Sequence, residues 1–76
     1  MKNVMEILSE IRPEFDFSKK IDFIEEGMLD SFDLVVLVSS LEDNYSIKID
    51  GIDIIPENFG SLKAIEATLK KNGAKF

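Results

Sequence analysis

Apolar residues Val4, Ile7, Leu8 and Ile11 recur at intervals of three and four, the spacing of one helix face, and predict an amphipathic helix from Lys2 to Arg12. Pro13 disfavours helical geometry at Arg12 and ends it. From Glu14 to Leu29 the period is lost, although Phe15, Phe17, Ile21, Phe23, Ile24, Met28 and Leu29 are apolar. Loops of this length are uncommon in compact domains unless they pack their own side chains or serve function. The apolar content predicts that this one lies across the helices and closes the core.

Asp30-Ser31 opens a second helix. Either residue can cap it, and Asp33 adds negative charge to a first turn whose dipole favours it. Leu34, Leu37, Val38, Leu41 and Tyr45 form one stripe at helical spacing, reaching about four turns. Ser46 to Gly51 breaks the pattern. Ile47 and Ile49 alternate like a strand but have no partner run, so this stretch reads as an extended linker. Ile52, Ile54, Ile55 and Phe59 surround Pro56 in a segment with room for one short helical turn. Ser61 caps a last helix carrying Leu62, Ile65 and Leu69, with Lys70 and Lys71 near its C-terminus and Gly73 as its stop.

A chain of 76 residues is one domain, residues 1–76, with a modest core. It has no cysteine and no histidine, which removes disulfides and the usual zinc sites, so helix packing must hold it together. No apolar run approaches a membrane span, and Glu6 interrupts what would be a signal peptide's apolar stretch. These features predict a soluble, cytoplasmic protein. The net charge of −6 is unevenly spread. Between Ile21 and Glu57 ten acids face one base, Lys48, whereas the rest holds five acids and eight bases. Such a middle repels nucleic acid and attracts basic protein surfaces; its plainer role is to keep the chain in solution.

Most catalytic chemistry is excluded. Without histidine or cysteine there is no nucleophilic triad, and the scattered glycines form no phosphate loop. Carboxylates are plentiful, but so short a chain cannot enclose a cleft around a pair of them. An EF-hand reading of Asp50-Gly51 places Lys48 at the third ligand position, and lysine does not ligate calcium. Glu25, Glu26, Asp30 and Asp33 offer at most weak attraction to a hard cation, without defining a metal site.

Ser31 remains. A hydroxyl at a helix N-terminus can carry a phosphodiester, because free backbone N–H groups and the positive dipole end favour an anion there. The plainer role is that of a cap.

The run Glu26-Gly27-Met28-Leu29-Asp30-Ser31-Phe32 resembles the attachment motif of the acyl carrier protein family, where Gly-x-x-Asp-Ser-Leu precedes the second helix. The end of the stripe, Leu41-Glu42-Asp43-Asn44-Tyr45, the Ile47-x-Ile49 stretch and Pro56-Glu57-Asn58-Phe59-Gly60-Ser61-Leu62 also resemble that family, so the similarity covers nearly the whole chain. It implies an all-α four-helix bundle with a long first loop and a short third helix. It further implies that a phosphopantetheinyl transferase attaches 4'-phosphopantetheine from coenzyme A to Ser31. The arm's thiol would then hold an acyl or aminoacyl group as a thioester, and the protein itself would be no enzyme. By the same resemblance, Asp30 and Asp33 beside the serine, and Glu42 and Asp43 further along the helix, meet basic patches on partner enzymes. Each could instead belong to a solvated face, Glu42 and Asp43 as readily as not, Asp30 and Asp33 less so because their position beside Ser31 is fixed by the sequence.

Three features depart from the fatty-acid synthesis type. Phe32 replaces leucine, and Asp-Ser-Phe resembles D-alanyl carrier proteins. Val36 stands where that type tends to place glutamate, and the chain from Ile49 to Phe59 is slightly longer. Val35 and Val36 fall outside the apolar stripe, so they form an exposed docking patch unless one tucks under the loop or the third helix. The expectation is a monomeric carrier for an amino acid or specialised acyl group, served by an adenylating ligase and a downstream acyltransferase or synthase. The alternatives are a carrier for fatty-acid or lipid synthesis and an unmodified acidic helical adaptor.

Overall fold

A computed structural model describes residues 2–75. Three α-helices, α1 (Val4–Ile11), α2 (Ser31–Tyr45) and α3 (Leu62–Lys71), pack into a body of 28 × 25 × 21 Å. There is no strand among the described residues. No helix among them is long and apolar enough to cross a membrane.

Each helix starts where a short polar side chain satisfies its first amides. Asn3 caps α1 through a reciprocal box: Glu6 N–H donates to Asn3 Oδ1 at 2.8 Å, and Asn3 N–H donates to Glu6 Oε1 at 3.2 Å. Ser61 Oγ accepts the Ala64 N–H at 3.1 Å and begins α3. The first helix stops at Arg12, whose N–H still reaches Leu8 O at 2.9 Å before Pro13 turns the chain. The second stops at Ser46, in the left-handed region at φ 54°, where the Ile47 N–H returns to Glu42 O.

The helical stripes become the core. Val4, Ile7 and Leu8 of α1, Leu34, Leu37, Val38 and Leu41 of α2, and Ile65 and Leu69 of α3 are all buried. Burying side chains of this kind stabilises the fold by about 1.5–3 kcal/mol each before chain entropy is charged against it. The long first loop does close the core. Phe17 and Phe23 meet edge to face at 5.0 Å between ring centres, and Met28 and Leu29 are buried beside them.

Gly60 joins that loop to the entry of α3. Phe23 N–H donates to Gly60 O at 2.8 Å, and a Cβ on Gly60 would lie 2.7 Å from Asp22 Oδ2. Asp22 cannot move cheaply, because its Oδ1 accepts the Ile24 and Glu25 N–H groups at 2.9 and 3.0 Å. Only a residue without a side chain fits.

The stretch after α2 is extended as expected, with Ile49 buried and its N–H donating to Glu42 Oε2 at 2.8 Å. The segment around Pro56 differs from one short helix. It forms two separate 3-10 turns, Gly51–Asp53 and Pro56–Asn58. The first is held by Asp53, a buried acid that accepts from Lys71 Nζ at 2.7 Å and Asn72 Nδ2 at 3.2 Å. With its carboxylate pulled back toward α3, the chain bends between the turns and Pro56 restarts the second one at its first position.

Candidate functional site

Gly27 sets the approach to α2. Its N–H donates to Ile24 O at 3.1 Å, and its φ of 74° is one that side chains avoid, so the chain reverses there. The Met28 and Leu29 N–H groups then both donate to Phe23 O, at 2.9 and 3.1 Å. The next residue, Asp30, is left at the surface as the helix begins.

Asp30 is the cap. Its Oδ1 accepts the Asp33 N–H at 2.9 Å, while Asp33 Oδ2 accepts the Asp30 N–H at 3.1 Å. The sequence allowed either Asp30 or Ser31 in this role; the structure gives it to Asp30. Ser31 becomes the first helical residue, exposed, with no side-chain hydrogen bond among the described residues. Of the four amides that a helix start leaves unpaired, the box satisfies those of Asp30 and Asp33. Those of Ser31 and Phe32 remain at the positive end of a helix of 15 residues.

Arg12 organises this end from across the fold. Its Nε donates to Asp33 Oδ2 at 2.9 Å, its Nη2 reaches Asp30 Oδ2 at a longer 3.4 Å, and its Nη1 lies 3.2 Å from Glu14 Oε2. Burial pushes the Asp33 carboxyl up, but the Asp30 N–H and the Arg12 guanidinium outweigh it, and the group lies below its ordinary value. The hydrogen bond that Arg12 donates to Asp33 in turn raises Arg12. Sequence reasoning used Arg12 only as a helix end. The available signal was that it is the sole arginine of the chain, set beside the helix-ending proline.

Of the four acids expected to meet partners, Asp33 is internal and Glu42 is half-buried. Asp33 is 6% exposed and its carboxylate is committed to Asp30 and Arg12, so it holds α2 in place rather than facing a partner. Glu42 is half-buried with one oxygen on the Ile49 N–H, which fixes the linker. Asp30 and Asp43 do stand at the surface. The expected charge-bearing face is therefore reduced to its two ends.

What lies between them is apolar. Phe32, Val35 and Val36 occupy positions i, i+3 and i+4 of one helix face, and are 73%, 67% and 36% exposed. Neither valine tucks away, because the buried stripe of α2 points to the other side. Among the described residues no group of three or more acids converges as a metal site, and Asp30 and Asp33 already share Arg12.

No family model matches this chain, and neither a curated protein nor a solved structure matches it.

Proposed function

We propose that this chain is a carrier protein of the acyl- or peptidyl-carrier type, with Ser31 as the attachment point for 4'-phosphopantetheine. The observation that carries the reading is the division of labour at the start of α2. Asp30 does the capping, which leaves the Ser31 hydroxyl exposed and unengaged among the described residues. A serine kept only as a cap would hold the Asp33 N–H itself.

The residues present fit the group. A phosphodiester on Ser31 Oγ would meet the free Ser31 and Phe32 amides and the positive end of α2. Asp30 and Asp33 oppose a second anion there, and Arg12 offsets both. In the transfer, the Ser31 Oγ–phosphorus bond would form as the pyrophosphate bond of coenzyme A breaks, with adenosine 3',5'-bisphosphate as the leaving group. The hydroxyl proton would pass to a general base at the transferase interface. When bound, the arm supplies the thiol that holds the cargo as a thioester. The role of the chain is then to present Ser31 rigidly, through the capping box and the Arg12 clamp, while the Phe32, Val35 and Val36 face meets partner enzymes.

That apolar face favours a carrier for an amino acid or specialised acyl group, loaded by an adenylating ligase, over one for bulk fatty-acid synthesis. An unmodified adaptor is the opposing reading. Incubating the protein with coenzyme A and a broad-specificity phosphopantetheinyl transferase, then weighing it intact, separates the two. The carrier reading expects the gain of one arm, abolished in Ser31→Ala. No gain supports the adaptor, and a gain that survives the substitution overturns Ser31 as the attachment point.

A further inference from the structure

A second feature lies away from the exposed face of α2. It is an open groove of about 670 Å³ between the first loop, residues 18–23, and the start of α3. The Phe23–Gly60 hydrogen bond at 2.8 Å joins its two walls, and Ile21, Phe23 and Leu62 line its apolar part. Its volume falls within the range of small-molecule sites.

Its charge is opposite to that of the chain as a whole. Lys19, Lys20 and Lys63 all line it, in a protein of net charge −6. Elsewhere Lys2, Arg12 and Lys71 are each paired with an acid within the fold, while Lys48 and Lys75 stand at the surface without an ion pair among the described residues. Among the described residues, Lys20 and Lys63 have no hydrogen bond or salt bridge, and Lys19 lies near Asp16 without a salt bridge to it. Lys63 also sits in the first turn of α3, where the helix dipole disfavours a cation and which holds no acid. By contrast α1 and α2 carry Glu6 and Asp33 in that position. Of the acids lining the groove, Asp22 is spent on the Ile24 and Glu25 amides, which leaves Glu57. A local rule of helix charge broken without structural compensation marks a place kept for something else.

We infer that this groove binds a small amphipathic anion, a carboxylate or phosphate head on a short apolar body, with the lysines on the head and Ile21 and Leu62 on the body. Two sources share that chemistry: a free molecule, or the acid-ended cargo of the arm on Ser31. The second rests on the carrier reading. It is within chain reach because Phe23 O accepts the Leu29 N–H two residues before Ser31.

Amide chemical shifts of the unmodified protein, titrated with octanoate and with octanol, test the inference. Octanoate should saturate shifts confined to residues 18–23 and 60–63, bind roughly fivefold or more tighter than octanol, and weaken with salt. Replacing the three exposed lysines by glutamine should remove that preference without disturbing the fold. A free ligand's site responds to octanoate in the unmodified chain. A cargo site responds only when Ser31 carries a glutaryl rather than a butyryl thioester. No localised shift in either form, or equal binding of octanol and octanoate, overturns the inference. Failure of Ser31 modification would remove the cargo arm of the test and leave the octanoate arm intact.

Discussion

Arg12 Nε lies 2.9 Å from Asp33 Oδ2, and this single contact ties the end of the first helix to the first turn of the second. The loop between them is long, so the orientation of Ser31 relative to the body of the protein depends on the contact as much as on the chain.

Replacing Arg12 by Gln should therefore do two things. It strands a nearly buried carboxylate, which for a fully buried pair costs about 3–5 kcal/mol. Arg12 is about one-third exposed, so water relieves part of that, and a lowered denaturant midpoint short of the fully buried cost is expected. Hydrogen exchange should also speed up selectively at the first turn of α2. Uniform acceleration across all three helices would argue that Arg12 merely adds stability without positioning this end.

Acid should loosen the same region. Asp33 and Asp53 both lie below the ordinary carboxyl value of 3.8, Asp33 because its hydrogen bonds and Arg12 outweigh burial, Asp53 because of hydrogen bonds from Lys71 and Asn72. A depressed folded-state value means that each acid's contribution is complete above its unfolded value and lost as pH falls through the folded one. Stability should thus be flat near neutrality with respect to these two groups and decline below about pH 4. Asp53→Asn should make that decline shallower. An unchanged acid limb would show that Asp53 carries no such linkage.

Gly60→Ala places a methyl against the Asp22 carboxylate. The expected cost is about 1–3 kcal/mol by overpacking and by loss of the turn that Asp22 holds. Because the two residues touch, the costs should not add: in an Asp22→Ala background the Gly60→Ala substitution should be cheaper. Additive unfolding free energies would contradict the close approach.

The three long helices were legible in the sequence because each carries its own signals, an apolar stripe and a capping side chain, within a few residues. So was the covering role of the first loop, since five or more large apolar side chains have nowhere else to go. The two 3-10 turns were not. Their form depends on Asp53 meeting Lys71 and Asn72, residues far along the chain, and no local pattern encodes that. The site divides in the same way. Ser31 at the start of α2 and the place of Val35 and Val36 outside the buried stripe follow from helix register, but the register left open whether one valine would tuck away, and neither does. The internal roles of Asp33 and Glu42 required knowing that Arg12 and the Ile49 amide lie beside them. Their spacing on the helix is equally compatible with a solvated face.

Peptide mapping by tandem mass spectrometry, on the protein purified from the organism that makes it, tests the central claim most directly. The account predicts one phosphopantetheine arm, on Ser31 and on no other serine. The fragment mass would also give the cargo. An unmodified Ser31 peptide, or an arm on a different residue, would contradict it.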